Sequence, residues 1–476
     1  MNKRKKHRLS LTALAVSLMM LTSCGTPIVD TDKIGDTNLS VLSRLDRNDS
    51  STPAETKAPE ESKPEETSKE DPESKTEPEE SKPEESKPEE STPDVSTPDE
   101  SKPETSQPDE SIPERIDEGT GKVKAHLVCA GDNLIHDNIY VDARKADGTY
   151  DFSKCYAPCK KLMKGADIAI LNQETLVTDA FPPATFPLFA TPTACGDAVV
   201  DFGFNVISMS NNHVLDKGSK GLISSLDYWD TKDVVHYGAY RSEADAEQIR
   251  TKTVNGITFA FLGCVDHTNG LFLSYGEEGK VLYIVNDEST IKKLVEKADK
   301  MADVVVVSCH YGTEIMNEIN AQQISFTQKL VSWGADLIIG TQAHALSTCT
   351  YLDKPDGGQA FVYYGLGNFL NTMYDADNPD GHYGKSLVGI FGSLDVVKDY
   401  DNGKKITFEN VKAIPVISHY EGETWTSMWY NCKVYPYADY TDDLLAKHMM
   451  HWRSGVGRKD FERCISYIPK EFLAWE

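Results

Sequence analysis

Six short apolar runs in this chain end abruptly in polar or histidine residues. Residues 123–130 run into Gly131 and Asp132, 168–171 into Asn172, Gln173 and Glu174, and 206–209 lead to Asn211, Asn212 and His213. Residues 304–308 lead to His310, 337–339 to Gln342 and His344, and 361–364 to Gly365, Gly367 and Asn368. Continuous Val, Ile and Leu runs mark strands buried on both faces. In open α/β sheets, ligands collect beyond the carboxyl ends of such strands. A sheet that aligns these ends gathers Asp, Glu, Asn and His side chains at one rim. By composition that rim is a metal or acid–base site.

Helical spacing alternates with the runs. It predicts helices over 153–164, 193–202, 218–231, 288–301 and 319–333, of which the first, second and last are closed by Gly165, Gly203 and Gly334. Strands at 167–171, 234–237, 256–263, 303–308 and 336–339 lie among them. This alternation predicts right-handed crossovers and a largely parallel sheet. Beyond residue 361 the pattern turns to strands, at 387–396, 405–411 and 413–418. These add antiparallel strands or a second sheet, and 440–476 reads as helical.

The first residues are a targeting segment. Lys3, Arg4, Lys5, Lys6 and Arg8 precede an apolar stretch over 9–21, and Leu21-Thr22-Ser23-Cys24 looks like a bacterial lipobox. An uncleaved anchor is the competing reading, but so short a stretch is marginal for about 30 Å of hydrocarbon. Residues 1–24 are therefore expected to be a lipoprotein leader with Cys24 lipidated, which puts the chain on the extracellular face of a bacterial cell membrane. From Pro78 to Pro113 prolines recur every five residues. Residues 51–120 hold 24 Asp and Glu against 8 Lys and Arg, or 16 of the chain's 26 net negative charges. With almost no apolar residues, 25–121 is expected to be a disordered, extended tether. The acidity belongs mostly to this tether, and it argues against nucleic acid as a partner. Residues 122–420 are expected to form the main domain, with 421–476 a C-terminal extension packed on it. Nine cysteines remain besides Cys24, an odd number. Cys129, Cys264 and Cys309 read as buried small hydrophobes, and Cys155 and Cys159 as structural.

Taken together and in order, Gly131-Asp132, Asn172-Gln173-Glu174, Asn211-Asn212-His213 with Asp216, His310, Gly340 with His344, and the segment Tyr364 to Phe369 resemble the motif set of CapA proteins. These are bacterial capsule and poly-γ-glutamate synthesis proteins, themselves similar to calcineurin-like metallophosphoesterases. The resemblance implies a four-layer α/β/β/α sandwich with ligands on the loops after the strands. It also assigns roles. Asp132 becomes a first metal ligand, Glu174 or Asn172 a bridging one, Asn212 an amide-oxygen ligand, and His310 and His344 imidazole ligands. His213 becomes the acid that protonates the leaving group, and Gln342 and Asn368 lie at the rim. Such a donor set suits Mn, Zn, Fe or Mg. One or two such ions polarise the scissile group while a histidine transfers the proton.

The chain departs from that pattern twice. Leu134 stands where the phosphoesterase signature has a histidine, with His136 two residues further on, and Gln342 replaces one of the last pair of histidines. Taken singly, Asn211 to His213 also reads as a turn, Glu174 as a helix cap, and His310 as a core histidine. The implied function is a surface hydrolase or transferase acting on phosphoester or γ-glutamyl bonds of an anionic envelope polymer. The alternative is a non-catalytic polymer-binding component of an export assembly containing membrane proteins. His126, His236, His267, His382 and His419 fall outside the motif set and read as structural.

Overall fold

The computed structural model describes residues 119–373, 384–424 and 428–476. The leader over 1–24 with Cys24, all but the last three residues of the tether, and His382 lie outside the described residues. Among the described residues no helix is long and apolar enough to cross a membrane.

In chain order the first strands are β1 (Lys122–Asn133), β2 (Ile168–Asn172), β3 (Val206–Ser208), β4 (Val235–Tyr237) and β5 (Ala239–Tyr240). Next come β6 (Arg250–Val254), β7 (Ile257–Val265), β8 (Lys280–Val281), β9 (Val304–Tyr311) and β10 (Leu337–Gln342). The last are β11 (Cys349–Asp353), β12 (Gln359–Tyr363), β13 (Asn368–Leu370), β14 (Val388–Asp399), β15 (Lys405–Glu421) and β16 (Tyr430–Pro436). One sheet runs β16-β15-β14-β1-β2-β3-β4, with β13 beside β1, and the other runs β11-β12-β10-β9-β7-β6. Strands β1 to β4 are parallel to one another, as are β7, β9, β10 and β12.

Strand alternation builds the layers. Val304 and Val306, Phe259 and Phe261, and Leu337 and Ile339 point into one core shared with Leu127, Cys129 and Ile170 of the first sheet. Their neighbours Val305, Val307, Ala260 and Ile338 point the other way, onto Ile291, Leu294 and Val295 and onto Phe326 and Leu330. Those residues belong to helices Glu288–Met301 and Ala321–Ser332. The first sheet is covered by helices Thr193–Phe202 and Gly218–Trp229 through Val199, Phe202, Leu222 and Trp229. The result is helix, sheet, sheet, helix, the four-layer α/β/β/α arrangement implied by the resemblance.

Several elements differ from the sequence reading. The six strand ends do not share one sheet: β1 to β3 belong to the first, and β9, β10 and β12 to the second. The helix expected over 153–164 is one α-turn, Ser153–Tyr156, followed by a 3-10 helix, Ala157–Met163, since Pro158 has no N–H to give an α-helical ladder. The strands expected at 405–411 and 413–418 are a single strand, β15, with a register shift opposite Ser393 and Asp395. Residues 440–476 form three short helices, Asp442–Lys447, Met449–Ser454 and Arg458–Ile465. Strand β16 extends the first sheet, and Met449, Phe461 and Ile465 join its core. All nine described cysteines are buried.

Candidate metal centre

Register brings the motifs together. Asp132 is the strand partner of both Asn172 and Asn368, and Thr341 is the partner of His310. The Asp132 N–H donates to Gly367 O at 3.0 Å. A Cβ on residue 131 would overlap that same carbonyl oxygen, so only glycine admits this approach. Strands β9 and β10 meet this rim from the other sheet with His310 and the segment Gln342 to His344. Gln342 and His344 both hold left-handed backbone, φ 86° and 51°. For residues with a Cβ that conformation costs on the order of 1–3 kcal/mol each, and such strain clusters at functional sites.

Asp132, Glu174 and His344 are fully or nearly fully buried, and one donor atom from each lies within 4.8 Å of the others. His344 Nε2 is 3.5 Å from Glu174 Oε1, and His344 Nδ1 is 3.3 Å from Asp132 Oδ2 and 3.0 Å from Asn368 Oδ1. His310 Nε2 lies 3.7 Å from Glu174 Oε1 and 3.0 Å from Asn212 Oδ1, while its Nδ1 is 2.9 Å from Thr341 Oγ1. His344 turns Nε2 to Glu174 with Nδ1 between Asn368 and Asp132, and His310 is held at Nδ1 by Thr341 with Nε2 between Asn212 Oδ1 and Glu174. An oxygen partner on the far nitrogen is how metal-binding imidazoles are oriented. Asn172 Nδ2 donates to Asp132 Oδ1 at 2.6 Å. Asn172 thus orients Asp132, and Glu174 supplies the second carboxylate.

Burial dominates the electrostatics. It drives Glu174 well above the ordinary carboxylate range, only partly opposed by His344. It drives His310 well below 6.5, to which the neighbouring histidines add. For His344 burial pulls the other way, yet the Glu174 and Asp132 carboxylates hold it up at about 10. Both Glu174 oxygens, Asn172 Oδ1 and Gln342 Oε1 are buried without a hydrogen-bond partner. Orphaned oxygens of this kind call for an explanation, and a divalent cation fits them. The donors are carboxylate and amide oxygens with imidazole nitrogens, of which Asp132, His344 and His310 lie around Glu174. Asp132, Glu174, His344, His310 and Asn212 are the residues that could hold it.

His213 stands beside this cluster rather than in it. Its Nδ1 is 2.8 Å from Asp216 Oδ2, which also accepts from the Phe189 N–H at 2.7 Å. The ring packs edge-on against Phe189 at 4.7 Å, and His136 packs on Phe189 at 5.4 Å. His136 therefore does not replace the histidine missing at Leu134. Its Nδ1 lies 3.2 Å from Leu134 O, and burial pushes it down to about 3. Gln342 reaches the rim through its backbone, whose N–H donates to Asp132 Oδ2 at 3.3 Å. Asn368 holds His344 and is itself fixed by Nδ2 donating to Ser386 O at 2.9 Å.

Sequence reasoning missed three contributors. Asp216 carries no role there, although its i+3 spacing from His213 was the available signal. His267 was set aside as structural, yet its Nε2 lies 2.8 Å from Gln342 Nε2. Asn269 Oδ1 accepts from Asn212 Nδ2 at 3.4 Å. Both follow β7, a seventh apolar run ending in polar residues.

The model of the family described as bacterial capsule synthesis protein PGA_cap matches residues 126–373. The capsule biosynthesis protein CapA of Bacillus anthracis is 30% identical over 177 residues, 36% of this chain and 41% of that protein. The PGA biosynthesis protein CapA of Bacillus subtilis (strain 168) is 32% identical over 171 residues, 36% of this chain and 43% of that protein. The chain thus spans less than half the length of these relatives. Among solved structures, a phosphatase from Mycoplasma pneumoniae aligns with a TM-score of 0.38 at 15% identity, covering 62% of this chain and 94% of the phosphatase. A 5'-nucleotidase from Candida albicans aligns with a TM-score of 0.34 at 10% identity, covering 75% and 58%. Scores this low carry no functional conclusion.

Proposed function

The chain belongs to the bacterial capsule synthesis protein PGA_cap family, and from that premise we propose that it is a metal-dependent hydrolase or transferase of an anionic envelope polymer. Its bond would be a phosphoester or a γ-glutamyl amide. The observation that carries this reading is the convergence of Asp132, Glu174 and His344 on a point where both Glu174 oxygens are buried and unpartnered. A bound divalent ion, Mn, Zn, Fe or Mg, supplies Lewis-acid polarisation of the phosphoryl or acyl oxygen.

The rest falls to the chain itself. Asp216 Oδ2 accepts a hydrogen bond from His213 Nδ1–H, which fixes the tautomer and leaves Nε2 as the atom that exchanges a proton with the leaving group. Phe189 packs on that ring and limits its rotation. Asn172 and Asn368 hold Asp132 and His344 in place. Lipidation at Cys24 would anchor the chain to the outer face of the membrane, with the acidic tether as spacer and membrane proteins of a capsule assembly within reach.

Leu134 and Gln342, where two imidazoles would stand, favour a second reading in which the site binds polymer without turning it over. Elemental analysis of the full-length chain, paired with hydrolysis assays on a phosphodiester and on poly-γ-glutamate, separates the two. Metal at one or more equivalents with turnover that His213→Ala removes supports the enzyme. A metal-free chain that still binds polymer overturns it.

A further inference from the structure

We propose that the turn over residues 266–270 is a positioning loop for the metal centre, in which His267 and Asn269 hold the side chains of Gln342 and Asn212 in place. The inference rests on the metal-binding reading above. A carboxamide ligates a cation through oxygen, and its NH2 end is nearly the same size, so its partner decides which end faces inward. Gln342 and Asn212 are both carboxamides, and both meet this loop. The Gln342 amide lies 2.8 Å from His267 Nε2, and His267 Nδ1 accepts from the Asn269 N–H at 3.4 Å, which seats the ring on the loop. Asn212 Nδ2 donates to Asn269 Oδ1 at 3.4 Å, and its Oδ1 lies 3.0 Å from His310 Nε2. Reversing the Asn212 amide would set its oxygen against Asn269 Oδ1.

The loop is built to hold that position. The Asp266 N–H donates to His310 O at 2.9 Å, tying the loop to the strand that carries a proposed ligand. Asp266 Oδ1 accepts from Gln322 Nε2 at 2.7 Å, and Thr268 Oγ1 lies 2.9 Å from Tyr283 OH. Asn269 and Gly270 take left-handed backbone, φ 52° and 73°, which turns the Asn269 side chain back to the rim. Asn tolerates that conformation better than most residues. His267 is exposed and Gln342 buried, so the pair spans the wall of the site.

The test is titration of the EDTA-treated full-length chain with Mn2+ alone, followed calorimetrically and by loss of the free-ion electron paramagnetic resonance signal. His267→Ala and Asn269→Gly each remove the side-chain partner of one carboxamide. The first lies at an exposed position, and glycine accepts the left-handed backbone of the second. Loss of such outer partners weakens metal binding by about 10–100-fold, and that is the expected change in Kd. The double variant should approach Asn212→Ala. His267→Gln, whose amide reaches the position of Nε2, should recover most of the affinity, whereas a merely structural role predicts no such recovery. Unchanged affinity in both single variants, or equal weakening by His267→Gln and His267→Ala, overturns the positioning role alone. A wild-type chain that takes up no Mn2+ overturns the metal reading and this inference with it.

Discussion

Replacing Glu174 by Gln should change stability with opposite signs in the absence and presence of metal. In the metal-free chain Glu174 is a fully buried carboxylate with both oxygens unpartnered. A buried polar group without a partner costs about 1–3 kcal/mol, and more when it is charged. Two contacts oppose that cost, His344 at 3.5 Å and His310 at 3.7 Å. Both exceed hydrogen-bond distance. His310 is held neutral by burial and offers no charge, and His344 keeps Asp132 at 3.3 Å when Glu174 is neutralised. Burial therefore wins, and Glu174→Gln in EDTA should be more stable than wild type by about 1–3 kcal/mol, a rise of a few degrees in Tm. At a Mn2+ concentration of about 1,000 times Kd, wild type gains about 4.1 kcal/mol. The variant, lacking the central carboxylate, gains almost nothing, so the melting order reverses. Differential scanning fluorimetry in EDTA and in Mn2+ measures both arms. A variant that melts below wild type in EDTA would show that Glu174 is a structural ion-pair partner, and the reasoning would be wrong.

Asp216→Asn should leave Mn2+ binding intact but lower any hydrolytic kcat by about 10²–10⁴-fold, because His213 loses its tautomer-fixing acceptor; a rate within twofold of wild type removes the dyad. Acid should destabilise the fold through His448 and His419, which burial holds at about 3 and about 4, below the 6.5 of a free histidine. His448 Nε2 lies 3.0 Å from Ser418 O and Nδ1 accepts from the Met450 N–H at 3.0 Å, so only the neutral ring suits both. Tyr440, Glu421, Lys433, Lys447 and His451 surround the pair. Between about pH 4 and 6.5 the unfolded chain binds more protons, so stability falls as pH drops, by up to about 1.4 kcal/mol per pH unit per histidine. Denaturant midpoints at pH 7 and 4.5 should converge in His448→Gln, and an unaltered slope contradicts the assignment. Cys24→Ser should move the chain from the membrane fraction to the soluble one, and full retention in membranes would rule out lipid anchoring at that residue.

The apolar runs and their polar ends were legible in the chain because a strand buried on both faces has no polar alternative, and its carboxyl end is where polarity resumes. The helices over 193–202, 218–231, 288–301 and 319–333 were legible for a related reason: their spacing matches one buried face, and glycine closes two of them. The break at Pro158 was readable too, although the apolar spacing around it argued for a longer helix. Asp132, Glu174, Asn212, His310 and His344 could each be chosen from the sequence, since each stands at the end of such a run. What sequence left open was their grouping. Two separate sheets, not one, bring these ends to a shared rim, and pairing between strands distant in the chain decides that. Asn172 or Glu174 as the bridging ligand was undecidable from spacing two residues apart; in the structure Asn172 holds Asp132 while Glu174 faces both imidazoles. His267 and Asn269 were out of reach for the same reason. A histidine and an asparagine in a surface turn have no periodicity that marks them. Their importance lies in which amide they meet across some 75 and 57 residues of chain. Burial pattern is a property of local sequence, whereas the direction of a hydrogen bond between two loops exists only once the sheets have packed.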